Sequence, residues 1–257
     1  MSFLWGEGWV CYLCGEELLN FIKLDNYVYS MRKRVQYIFF DFDGTISDAK
    51  RLTYETLVEV LDEMDFKISR LKLKKLMGAK MPEILKGLGI GSSLIDKIRK
   101  SFYRNLVKKA NLNNLKLCCD IEPLWELKKS GTRLVVLSNA EKSFLNASIK
   151  VLGIKRLFYR AYGAHKTLTK DEVLKKLFRK FRINSEDTMY VGDRFSDIEY
   201  AHQAKMLAVA IHNKCAWSTK KEILAEKPDY IISNFEDLKK LVECNFSFGK
   251  RKLVKKK

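Results

Sequence analysis

Five short apolar runs constrain this chain more than any other feature: VQYIFF, TRLVVLS, TMYVG, MLAVAI and DYIIS. Each is rich in β-branched and aromatic residues and too short for an ordinary helix. Between most of them lie segments with apolar residues at i, i+3 and i+4, among them EKSFLNASIKVLG, KDEVLKKLFRKF and FEDLKKLVE. Strands that alternate with amphipathic helices build βαβ units, and therefore a parallel sheet covered on both faces. The expected class is α/β, with ligands bound at the carboxyl ends of the strands.

The alternation breaks once. From about Leu52 to Asn114 the spacing is helical throughout, in TYETLVEVLDEMDF, RLKLKKLM, PEILKGLG and SSLIDKIRKSFYRNLVKK. An all-helical insert between the first and second strands is expected to form a small second domain over the strand ends. It is also strongly basic. The chain carries 49 Lys and Arg against 31 Asp and Glu, a net charge of +18, and thirteen of the basic residues fall between Lys67 and Lys109, against only Glu83 and Asp96. The tail GKRKLVKKK is the other concentration. Such a field favours anionic partners, nucleic acid among them, but no aromatic-interleaved binding motif accompanies it. The expected organisation is a core over residues 31–50 and 115–245, a helical domain over 51–114 and a basic tail over 246–257. Residues 1–30 match nothing in the strand pattern. Because Met31 before RKRVQYIFF is an ordinary start for the domain, they read as a dispensable N-terminal helix or an over-extended gene start.

No run approaches the roughly 18 apolar residues of a membrane span, and Glu7 and Glu16 stand where a signal peptide would carry basic residues. The expectation is a cytoplasmic protein without a membrane partner. Six cysteines show no regular framework and read as reduced thiols. Cys11 and Cys14 have CxxC spacing, and the adjacent Cys118 and Cys119 are the one pair that could complete four zinc ligands, though incidental cysteines are the plainer reading. His165, His202 and His212 share no metal spacing. Trp125 falls on the apolar face of IEPLWELKK, and Trp217 in CAWSTKKE lies beside the later strand ends, where a lid contact is open to it.

The chemistry concentrates in YIFFDFDGTISD. In a strand, residues i and i+2 point to the same side, so Asp41 and Asp43 converge at its end, and Gly44 lets the chain turn there. Two acids held close serve as nucleophile and general acid, or bind a cation that cancels their repulsion. MYVGDRFSDIEYA adds Asp193 after another strand, with Asp197 four residues on, so four carboxylates share one sheet edge. Hard oxygen ligands in that number suit Mg²⁺. VVLSNA brings the Ser138 hydroxyl to the same edge before a helix, and Lys170 opens another helix in LTKDEVLKKL. Nucleophile, acid, cation site, hydroxyl and ammonium form a phosphoryl-transfer constellation.

DFDGT, LSN, a lysine opening a helix and GDRFSD, in that order, resemble the four motifs of the haloacid dehalogenase superfamily, over roughly Val35 to Glu243. The resemblance implies a Rossmann-like hydrolase core and, for most members, Mg²⁺-dependent phosphatase activity. It implies that Asp41 is the nucleophile that becomes an aspartyl phosphate and that Asp43 protonates the leaving alcohol, then activates water. Asp41, the backbone carbonyl of Asp43, and Asp193 would hold Mg²⁺, with Asp197 binding through water or orienting Lys170. Ser138, Asn139 and Lys170 would grip the phosphoryl oxygens. Lys166 competes with Lys170 for the third motif, and Lys170 is favoured by its distance to VGD. The helical insert falls where the phosphoglycolate phosphatase-like branch carries its cap, and MGAKMPEIL resembles the loop that reaches over the site, making Lys80 a candidate substrate contact. A small phosphorylated metabolite is the implied substrate. Nucleotides or nucleic acid ends are the alternative, and a non-catalytic RNA-binding or scaffold protein with this fold is a third reading.

Overall fold

The computed structural model describes residues 21–24, 27–30, 35–112, 115–165, 167–246 and 250–251. Cys11, Cys14, Met31, Lys166 and most of the basic tail lie outside the described residues. The first described segments are strands, where a helix was one of two sequence readings. Phe21–Leu24 (β1) and Tyr27–Ser30 (β2) pair antiparallel, and Lys250–Arg251 (β9) adds to β2.

A six-stranded, fully parallel sheet organises the rest. Its strands are Tyr37–Phe40 (β3), Arg133–Leu137 (β4), Arg160–Tyr162 (β5), Thr188–Gly192 (β6), Leu207–Ile211 (β7) and Tyr230–Ile232 (β8). They lie side by side in the order β5-β4-β3-β6-β7-β8. The sequence reading found every one except β5. That strand has only three residues, Arg-Ala-Tyr, at the sheet edge, too short and too polar to show an apolar run.

Period-two alternation sorts the side chains between two cores. Ile38, Phe40, Val136, Val191 and Val209 face one side, with residues of Glu122–Lys129 (α5), Lys142–Val151 (α6) and Phe235–Phe246 (α10). Tyr37, Phe39, Val135, Tyr190 and Ala208 face the other, with residues of Lys170–Phe181 (α7), Phe195–Gln203 (α8) and Lys220–Ala225 (α9). From the central β3 the chain runs out to β4 and β5, then crosses to β6 on the other side of β3. Such a reversal leaves a crevice at the strand ends, where α/β sheets bind ligands.

Between β3 and α5 the described chain is helical: Lys50–Asp62 (α1), Arg70–Leu76 (α2), Met81–Gly87 (α3) and Ser92–Asn111 (α4). These helices share a core of their own, with Leu57, Leu61, Leu73, Leu85, Ile98 and Phe102 buried, which Phe144 of α6 joins to the sheet domain. Their charged residues stay outside, so the basic surplus is a surface property of this unit. Among the described residues no helix is long and apolar enough to cross a membrane.

Phe40 ties the first core together. It is fully buried and meets Phe158 and Phe235 edge-on, with ring centroids 6.3 and 6.0 Å away. Truncation of a buried Phe costs about 3–5 kcal/mol in lost burial and cavity formation. Phe40→Ala is expected to lower the stability measured by urea unfolding by about that amount, whereas Phe181→Ala, on a 38% exposed side chain, should change it by less than about 1 kcal/mol.

Candidate active site

Four carboxylates meet at the carboxyl edge of the sheet. Asp41 and Asp43 follow β3, Asp193 follows β6, and Asp197 stands in the first turn of α8. Asp41, Asp193 and Asp197 are buried, and one oxygen from each lies within 4.8 Å of the other two. Gly44 makes the close approach possible. Its φ is +96°, and a Cβ there would come within 2.5 Å of Asp193 Oδ2 and 2.6 Å of the Trp217 ring.

Lys170 supplies the compensating charge. It is the first residue of α7, set by Thr169 at the cap, whose backbone N–H donates to Glu172 at 2.8 Å. A cation at a helix N-terminus opposes the helix dipole. It is nevertheless buried, because its Nζ donates to Asp41 Oδ1 at 2.9 Å and to Asp197 Oδ1 at 2.7 Å.

Asp193 is held differently, by neutral donors. The Thr45 hydroxyl donates to Oδ1 at 2.9 Å and the Trp217 backbone N–H to Oδ2 at 2.7 Å. The Trp217 indole N–H donates to the Asp43 carbonyl at 2.9 Å, so one residue fastens the loop after β7 to two motifs at once. Sequence reasoning gave Thr45 no role and Trp217 only a lid contact. The available signal was position: both stand in loops at the carboxyl end of a strand, on the edge that carries the acids.

The remaining sequence-predicted residues divide. Ser138 is buried at the end of β4, its oxygen accepting from the Ala140 N–H at 3.0 Å, and with Asn139 it lines the same cleft as Asp41 and Asp43. Lys80 is not brought to that lining: its ammonium donates to the Leu168 carbonyl at 2.5 Å, joining the helical unit to the loop before Lys170. Cys118, Cys119 and Cys215 are free thiols, and Asn213 bridges the last two, donating to Cys119 Sγ at 3.1 Å and accepting from the Cys215 N–H at 2.9 Å. Among the described residues the only metal-capable cluster is the aspartate one, and no histidine belongs to it. Trp125 is partly buried against the first core.

Burial and mutual repulsion govern the acids. Burial pushes Asp43 up to about 8, with the Asp41 charge adding to it and Lys170 and the Ser138 hydroxyl only partly offsetting it. Burial also raises Asp41 to about 6 against the pull of Lys170. Asp193 is raised well above the usual carboxylate range by burial and by Asp41 and Asp197. Burial opposes the Lys170 charge, but Asp197 and Asp41 outweigh it and hold its pKa well above the ordinary value. Asp43 Oδ1 is buried with no hydrogen-bond partner among the described residues. One ammonium, bonded to two of the four acids, leaves an excess of negative charge, and the donor set is all oxygen. The residues present therefore fit a divalent hard cation such as Mg²⁺.

These shifts have a sign in stability. Between the ordinary value of 3.8 and about 8 the unfolded chain has released the Asp43 proton and the folded chain has kept it. Stability of the metal-free protein then falls as pH rises through that window. Thermal unfolding in EDTA is expected to show a lower Tm at pH 8 than at pH 5, with a shallower slope for Asp43→Asn. An equal slope in wild type and variant would contradict the assignment.

Over residues 38–211 the chain matches the model of the family described as haloacid dehalogenase-like hydrolase. It is 27% identical over 231 residues to a phosphoglycolate phosphatase of Mannheimia succiniciproducens, covering 82% of this chain and 100% of that protein. It is 24% identical over 221 residues to pyrophosphatase PpaX of Listeria monocytogenes serotype 4a, covering 82% and 98%. Its fold superposes on CbbY from Rhodobacter sphaeroides in complex with phosphate with a TM-score of 0.69 at 16% identity, covering 79% of this chain and 96% of that one. The family model spans more than half of the chain, and its match begins in β3, just before Asp41, and runs through the motif of Asp193 and Asp197: this chain belongs to the haloacid dehalogenase-like hydrolases.

Proposed function

We propose that this chain, a phosphatase of the haloacid dehalogenase family, is a Mg²⁺-dependent phosphomonoesterase that works through an aspartyl phosphate on a small phosphorylated metabolite. The observation that carries this reading is the buried Lys170 ammonium bonded to both Asp41 and Asp197. It keeps the Asp41 carboxylate charged and oriented, where burial alone would protonate it. Relatives named phosphoglycolate phosphatase and pyrophosphatase PpaX, which align along more than four-fifths of this chain, support the substrate class.

In the first step an Asp41 oxygen attacks phosphorus, the bond from phosphorus to the leaving oxygen breaks, and Asp43 gives its proton to that oxygen. A carboxyl with a pKa pushed up to about 8 starts the cycle protonated at neutral pH. In the second step water attacks the aspartyl phosphate, its proton passes to Asp43, and Asp41 is released as carboxylate. Lys170 and the Ser138 hydroxyl meet the phosphoryl oxygens, while Thr45 and the Trp217 N–H fix Asp193 as a cation ligand beside Asp41 and Asp197. Mg²⁺, when bound there, screens the charge of the phosphoryl group from the attacking carboxylate.

The helical unit over residues 51–114 acts as the cap. Met77, Met81, Ile84 and Phe102 stand across the cleft from Asp41 and Asp43, and Lys80 ties this unit to the loop before Lys170. An apolar wall there excludes water from the aspartyl phosphate until the leaving group departs.

The test is phosphate release from a panel of phosphorylated metabolites and a 3′-phosphorylated oligonucleotide, each with Mg²⁺ and with EDTA. Wild type is expected to release phosphate from a small metabolite only with Mg²⁺, and Asp41→Asn to lose at least roughly 10³-fold in kcat. Release by Asp41→Asn at the wild-type rate would rule out the aspartyl phosphate. Turnover confined to the oligonucleotide would replace the metabolite reading with one for nucleic acid ends.

A further inference from the structure

The cleft between the helical unit and the sheet is narrow, with a cavity volume of about 50 Å³. Its floor is Asp41 and Asp43, and its far wall is apolar. Among the described residues a single Lys or Arg lines it, Arg194, which stands between Asp193 and α8. Lys170 and Lys80 are not among the lining residues, and each is engaged with protein acceptors.

Arg194 is anchored by its backbone, whose N–H donates to Asp197 Oδ2 at 3.2 Å. Its side chain runs up to the turn between α2 and α3. Gly78 in that turn has φ +87°, and a Cβ there would lie 2.2 Å from Arg194 Nη1 and 2.9 Å from Cζ, so the guanidinium rests directly on the cap backbone. Among the described residues the Nε atom is buried without a hydrogen-bond partner, and no carboxylate forms an ion pair with the group. The Phe195 ring lies beside it, its centroid 5.6 Å from Cζ. Glu222 feels its charge only at a distance.

A partly buried guanidinium without an anionic partner is an unfavourable arrangement, and one that a ligand can relieve. Its planar fork matches a carboxylate or a phosphoryl group in a bidentate pair. The scissile phosphoryl group belongs at the floor with Asp41, Lys170 and Ser138, so an anion at Arg194 must sit elsewhere on the substrate. We propose that Arg194 is a specificity-determining residue, binding a second anionic group carried on the leaving-group side of the substrate. This rests on the phosphatase reading above and extends it: the preferred substrate is a short dianionic-plus-anionic molecule whose few carbons or bridging oxygen lie against the apolar wall. Gly78 then has a second function, since any larger residue would push the guanidinium out of the cleft.

The experiment compares three small substrates with Mg²⁺ on the full chain. These are 2-phosphoglycolate, with a carboxylate on the leaving group, inorganic pyrophosphate, with a second phosphoryl group, and ethyl phosphate, with neither. Wild type is expected to favour one of the two anionic substrates over ethyl phosphate in kcat/KM, and which one it favours identifies the group recognised. In Arg194→Gln that preference should shrink by roughly 10- to 100-fold, the worth of a charge-assisted hydrogen-bonded pair, mainly through KM. Arg194→Lys should keep part of it, having charge without the fork. Because the readout is a ratio between substrates, a general loosening of the cap would lower all three rates and leave it unchanged. An unchanged ratio in Arg194→Gln, or no preference in wild type, would overturn the role of Arg194 while leaving the phosphatase reading intact. Absence of phosphate release from every substrate by wild type would overturn both.

Discussion

The site depends on one buried ion triad, the Lys170 ammonium between Asp41 and Asp197. Four carboxylates at the end of a hydrophobic sheet repel one another, and burial alone would protonate them. A single ammonium offsets part of this for Asp41 and bonds Asp197 as well. Burying that ammonium is costly in turn, and its position at a helix N-terminus adds to the cost. The arrangement persists because each group removes the penalty of the others, which is also why truncating one member should be more disruptive than its hydrogen bonds suggest.

Asp193 lies outside the triad, and neutral donors hold it. Thr45 and the Trp217 N–H fix both of its oxygens without cancelling its charge. That difference divides the cluster into a pair that shares one ammonium and a carboxylate held without a positively charged partner. The Trp217 indole reaches the Asp43 carbonyl as well, so the loop after β7 sets the spacing between the acid pair and the ligand. Positioning of this kind comes from residues without titratable side chains, and an inventory of acids and bases passes over them.

Much of the molecule was legible in the sequence. Runs such as VVLS and YVGD end in polar residues because a buried strand ends where it meets the ligand edge, and the period-two placement of Asp41 and Asp43 required them to converge. Helical spacing from Leu52 onward likewise marked a unit with a core of its own. The three-residue β5 escaped because an edge strand exposed to solvent needs no apolar run. MGAKMPEIL resembles the cap loop that makes Lys80 a candidate substrate contact, but a flexible lysine goes to whichever acceptor is within reach, and here that is the Leu168 carbonyl. Arg194 was visible as part of GDRFSD, yet nothing in the linear order distinguishes an arginine that enters a cleft from one that points into solvent.

The sequence by itself determined the class of fold, the sheet edge that carries the chemistry and the acids that meet there. Those follow from period, polarity and strand termination, which are local properties. Tertiary structure alone decided which lysine completes the ion triad, which donors hold Asp193, and which cation faces the cleft. Each of these is a contact between residues far apart in the chain, 129 positions for Lys170 with Asp41 and 174 for Trp217 with Asp43. Such contacts depend on how helices pack across the sheet, and packing is a property of the whole chain that no single segment encodes.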